Sequence, residues 1–88
     1  MAMTNDPMPT EDRERMILQL LEGADLALPL TPIHWNLRNK RGATWSQRTT
    51  RRRLESLVEQ EYVEILDVGN RYYQVTDAGR EYLKKNQD

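Results

Sequence analysis

The chain has 88 residues, 31% of them charged, with no cysteine, one histidine and a formal net charge of −1. That length holds one small domain with a modest core and leaves no room for a deep catalytic cleft beside a separate binding domain. Without cysteine there are no disulfides or thiolate metal sites, and the lone His34 cannot assemble a zinc site, so neither metal nor cofactor is expected.

No apolar run approaches the roughly 20 residues needed to span a bilayer, and the start "MAMTNDPMPTEDRER" lacks the basic and apolar regions of a signal peptide. The expectation is a cytoplasmic protein with no membrane partner. Residues 1–9 read as a disordered leader, residues 10–85 as one domain and residues 86–88 as a tail.

In chain order, Thr10 reads as an N-cap with Glu11 and Asp12 in the first turn, where a helix dipole favours acids. Met16, Ile17, Leu20 and Leu21 then form a stripe of helical period, which Gly23 and Asp25 close. The apolar "LALPL" is bounded by proline and reads as a connector or a short edge strand. Thr31 followed by Pro32 predicts the cap and first position of a second helix reaching Lys40, buried through Ile33 and Leu37. Gly42 stops it. His34 on that helix is read as a surface or rim histidine without a catalytic role, and Trp35 and Trp45 as core or rim packing ahead of base stacking.

Ser46 is the next cap, and a third helix is predicted over 47–60. Residues placed at 100° intervals put Thr50, Leu54, Leu57 and Val58 on one face. Arg48, Thr49, Arg52, Glu55, Ser56 and Glu59 fall on the opposite side, with Arg51 and Arg53 flanking the seam. The exposed face is therefore basic over its first turns and acidic afterwards, the reverse of what the helix dipole prefers for a purely structural helix. The whole segment from Arg38 to Arg53 carries seven basic residues and no acid, while the rest of the chain holds the other six basic and all 14 acidic residues. A segment of +7 against a remainder of −8 marks a local surface for a polyanion, which the net charge conceals.

Two strand-like segments follow, 62–67 and 71–75. Gly69 and Asn70 between them signal a tight hairpin, because both tolerate the positive φ such turns require. Val63 and Ile65 compete with Leu66 and Val68 for the inward face, so the register is left open. Tyr72 and Tyr73 must face opposite ways, one of them into the core. Thr76 and Asp77 cap a short last helix that Gly79 weakens, with Tyr82 and Leu83 available for packing and Lys84 and Lys85 suited to its end.

The fold class expected is α+β, a winged helix-turn-helix with a three-helix core, a two-stranded β-hairpin wing and a short C-terminal helix. The run "SQRTTRRRLESLVEQEYVEIL" followed by "YYQVTDAGREYL" resembles the signature of MarR-like and archaeal phage-repressor-like winged-helix regulators. The segment "LPLTPIHWNLRNKRGATWS" is similar to the second-helix region of haloarchaeal members, and the resemblance covers about Thr10 to Leu83. Glu61 departs from it where relatives usually carry glycine, as does Thr50 where they often carry valine.

The resemblance and the charge pattern together imply a sequence-specific double-stranded DNA-binding regulator, a repressor by analogy, acting as a homodimer on DNA. Arg48 and Arg52, one turn apart, are the candidates for bidentate pairing with guanine, with Gln47 suited to adenine and Thr49 to a thymine methyl or a phosphate. Ser46 completes that helix start. Arg51, Arg53, Lys40 and Arg41 are expected to grip phosphates, and Asn70 with Arg71 to reach from the wing tip. A protein–protein module or an RNA-binding module using the same basic patch are the alternatives. An enzyme with a small-molecule substrate is not expected, since no acid–base spacing and no glycine-rich phosphate loop occurs.

Overall fold

The computed structural model describes residues 8–67 and 69–85. The expected tail 86–88, most of the expected leader and Val68 lie outside them. The fold is α+β, with helices α1 (Thr10–Ala24), α2 (Leu30–Lys40), α3 (Gln47–Glu59) and α4 (Asp77–Lys85) and strands β1 (Val63–Ile65) and β2 (Tyr73–Val75).

The first two helices begin earlier than their threonines suggest. Pro9 and Pro29 are the N-caps, both with extended ψ (152° and 170°), and neither helix has a side-chain cap. The carbonyl of Pro9 accepts from Asp12 and Arg13 N–H, each at 3.0 Å, and that of Pro29 accepts from Ile33 N–H at 3.2 Å. A proline with its φ fixed near the helical range sets the entry angle that Thr10 and Thr31 were expected to set. Met8, within the expected leader, packs against the core.

Leu18 joins Ile17 and Leu21 as the buried face of α1, while Met16 and Leu20 lie at its margin. Asp25, in the left-handed region (φ 55°), ends the helix by donating its N–H to Leu21. Gly23 is inside the helix. The "LALPL" segment forms a single antiparallel bridge, Leu28 to Tyr73, with reciprocal N–H to carbonyl bonds of 2.9 and 2.8 Å. It thus lies alongside β2, on the edge opposite β1.

Gly42 (φ 74°) turns the chain out of α2, a conformation that suits glycine. Helix α3 ends in a Schellman motif: Tyr62 N–H donates to Leu57 and Glu61 N–H to Val58, both at 3.0 Å. Glu61 occupies the left-handed position of that motif (φ 68°), where glycine is usual.

The hairpin register pairs Val63 with Val75, Glu64 with Gln74 and Ile65 with Tyr73. Val63, Tyr73 and Val75 are buried, whereas Leu66 is 53% exposed and Tyr72 37%. The turn differs from the expected two-residue form. Asp67 O accepts from Arg71 N–H, and the positive φ falls on Arg71 (55°), neither Gly69 nor Asn70 having one. The Asp67 carboxylate accepts from Gly69 N–H (3.1 Å), Asn70 N–H (3.3 Å) and Asn70 Nδ2 (3.1 Å), so a side chain does the work assigned to backbone freedom.

Helix α4 is capped by Thr76, whose Oγ1 accepts from Gly79 N–H at 3.0 Å and donates to Glu61 O at 2.7 Å. Gly79 does not simply weaken this helix. A Cβ there would collide with Tyr62 O and lie 2.8 Å from Val75 Cγ2, so glycine is what lets α4 approach the hairpin. Tyr82 stacks on Tyr62, ring centroids 4.7 Å apart. The core is contiguous: Ile17, Leu18 and Leu21 meet Ile33 and Leu37, Leu54 and Leu57, and the inward hairpin side chains.

Candidate nucleic-acid interface

Helix α3 shows how the sequence builds a two-faced element. Ser46 Oγ accepts from Thr49 N–H at 3.2 Å, fixing the start of the helix. Thr50, Leu54 and Leu57 are essentially fully buried, and Val58 is half-buried beside them. That phase leaves Arg48, Arg51 and Arg52 exposed on the other side. The first turn holds no acid and the last turn no base, so the positive end of the dipole coincides with the arginines.

Behind this face a polar relay joins α2 to α3. Trp45 Nε1 donates to Thr50 Oγ1 at 2.9 Å, and Thr50 Oγ1 lies 2.8 Å from His34 Nδ1. An indole can only donate, so Thr50 accepts from Trp45 and gives its own proton to His34 Nδ1. His34 is thus the neutral Nε2–H tautomer. Burial, assisted by the nearby Arg38 guanidinium, holds its pKa below the ordinary 6.5. The rim histidine expected from sequence is instead 7% exposed and structural. Trp45 is also buried, with the Arg13 guanidinium 5.2 Å above its ring, whereas Trp35 is 56% exposed on α2.

The predicted site residues divide into two groups. Arg48, Arg52, Lys40, Arg41 and Arg71 are exposed and make no ion pair or side-chain hydrogen bond among the described residues. Others are engaged. Arg51 lies 3.7 Å from Glu55 in an exposed pair, and Gln47 Nε2 reaches Thr31 Oγ1 at 3.4 Å. Ser46 and Thr49 satisfy each other at the cap. Asn70 spends its amide on Asp67, and these hydrogen bonds, the side-chain one first, hold the Asp67 carboxyl below the usual carboxylate range.

Arg53 departs furthest from expectation. Its Nη1 is 3.1 Å from Glu14 Oε2, and both side chains are largely buried, at 24% and 13% exposure. This cation ties α3 to α1 and is not available to grip a phosphate. In its place stands Arg38, to which the sequence gave no individual role. One turn after His34, it lines the groove between α2 and the start of α3 together with Ser46 and Gln47. The i, i+4 spacing of His34 and Arg38 was the signal for this pairing.

Among the described residues no group of three or more His, Asp or Glu could hold a metal ion, and no helix is long and apolar enough to cross a membrane. Comparison with protein-family models, with curated proteins and with solved structures finds no match for this chain.

Proposed function

We propose that the chain is a sequence-specific binder of double-stranded DNA and acts as a transcriptional regulator, a repressor by analogy with the winged-helix regulators it resembles. In this reading α2 and α3 are the helix-turn-helix, α3 lies in the major groove and the β1–β2 hairpin is the wing. The observation that carries it is the free pair Arg48 and Arg52 on the exposed, acid-free first half of α3, rigidly backed by the buried Thr50, Leu54 and Leu57. Two guanidinium forks one turn apart on a fixed helix match adjacent guanine edges in a groove about 12 Å wide.

Lys40 and Arg41, at the end of α2, supply phosphate contacts, and Arg71 at the hairpin turn supplies one more. A module of this size buries little DNA surface, so two copies on a two-fold site provide the specificity. Selecting binding sites from random duplexes over a range of salt tests the proposal. A consensus with two-fold symmetry is the expected result. Binding that is steep in salt and blind to sequence would remove the regulator reading, and preference for RNA over the matching duplex would replace it with the RNA alternative.

A further inference from the structure

We propose that the groove between α2 and the start of α3 is a seat for a phosphoryl group, held by His34 Nε2–H, the Arg38 guanidinium and the first backbone N–H groups of α3. Two openings share this groove. One is lined by His34, Arg38, Ser46 and Gln47, and the other adds Thr31 and Trp35 beside the same His34, Arg38 and Gln47. No carboxylate lines either opening.

Three kinds of donor meet there without a protein acceptor. Gln47 and Arg48 N–H, the first of the helix, make no hydrogen bond among the described residues, because Ser46 Oγ serves Thr49 alone. Arg38 makes no ion pair. The third donor is the most telling. His34 is only 7% exposed, its Nδ1 is occupied by Thr50, and its Nε2–H has no partner. A side chain buried to this degree normally has its polar atoms satisfied, so a donor left open toward a groove calls for an acceptor from outside.

The donors exceed what a carboxylate can use. A guanidinium fork, an imidazole N–H and two parallel backbone N–H groups approach from different elements and suit the three free oxygens of a phosphoryl group. With His34 neutral, attraction comes from Arg38 and the helix terminus, while the imidazole contributes direction. Two sources fit this chemistry: a free phosphate monoester, or a backbone phosphate of bound nucleic acid. Only the second rests on the proposed function.

The test has two arms. His34 is the only histidine, so its imidazole gives the one set of ring resonances in an NMR spectrum. Titrating the full chain with inorganic phosphate, against sodium chloride of matched ionic strength, should move these resonances saturably. Arg38→Gln should weaken the response at least tenfold, and Lys84→Gln, on α4, should leave it unchanged. A shift that chloride reproduces, or one indifferent to Arg38→Gln, overturns the seat. The second arm adds a duplex carrying a selected site. If a backbone phosphate is the natural occupant, Arg38→Gln weakens binding to preferred and random duplexes by the same factor, and the duplex competes with phosphate. If phosphate saturates the site while duplex affinity ignores Arg38→Gln, the seat serves a free phosphate. A chain that binds phosphate and no duplex at all keeps the seat and loses only the DNA reading.

Discussion

His34 on α2 and Thr50 on α3 meet at 2.8 Å, imidazole Nδ1 to hydroxyl, directly beneath the exposed arginines of α3. The hydroxyl also takes the Trp45 indole N–H at 2.9 Å. Thr50→Val keeps the shape of the side chain and strands both partners in the core. It should cost about 1–3 kcal/mol, the penalty of buried polar groups without partners, while Thr50→Ser retains the relay and costs less. Urea melts of the two variants check this. Equal stability of wild type and Thr50→Val would show that the relay contributes nothing.

The same pair makes stability depend on pH. Because burial and Arg38 lower the pKa of His34 below 6.5, the unfolded chain binds a proton more readily than the folded one. The neutral imidazole therefore contributes its full stability above pH 6.5, and that contribution is lost as pH falls from 6.5 through the folded-state value. Melting temperature should decline across this interval, before the carboxylates titrate. His34→Asn should lie lower throughout and lack the slope. A parallel slope in the variant would assign the dependence to other groups.

Two backbone positions invert ordinary helix preferences. Alanine normally stabilises a helix over glycine by about 1 kcal/mol, yet Gly79→Ala should destabilise by roughly 1–3 kcal/mol, because the new methyl meets Tyr62 O and Val75 Cγ2. Glu61→Gly should act the other way and stabilise by about 1 kcal/mol, since the left-handed φ of 68° strains any residue with a Cβ. Thermal melts of both variants decide the matter. A stabilised Gly79→Ala would mean that α4 can shift away from the hairpin at little cost.

Local periodicity carried the reading of α3: Ser46 caps it, and the 100° spacing separates Leu54 and Leu57 from Arg48 and Arg52. The second half of the site depended on distant partners. His34 stands next to Ile33 on a short helix, and nothing within α2 distinguishes a rim position from a core one; Thr50, which accounts for its burial, is 16 residues away. Arg53 resembled its neighbours Arg51 and Arg52 in charge and context, and only the packing of α1 brings Glu14 to it. Helix starts were misjudged because Pro9 and Pro29 cap through the backbone, which leaves no side-chain signature. Likewise the reason for Gly79 lies in the approach of Tyr62 O, outside its own helix.

The arginines of α3 and the hairpin should separate cleanly in function. Arg48→Ala or Arg52→Ala removes a free exposed guanidinium, so on the proposed reading each costs about 1–3 kcal/mol on the preferred duplex and relaxes one base position, with little effect on folding. Arg53→Ala leaves the largely buried Glu14 without its cation and should cost roughly 1–2 kcal/mol of stability, with DNA affinity per folded molecule unchanged. Arg71→Gly suits the φ of 55° at that position, so it removes the charge without straining the turn. It should lower the salt slope of binding by about 1 unit, equally on all sequences, because one fewer counterion is released. Fluorescence anisotropy at several salt concentrations, on preferred and random duplexes, combined with urea melts, measures all of these together. If Arg52→Ala and Arg53→Ala lose affinity alike on both duplexes, α3 is gripping phosphates without reading bases, and the sequence-specific proposal fails.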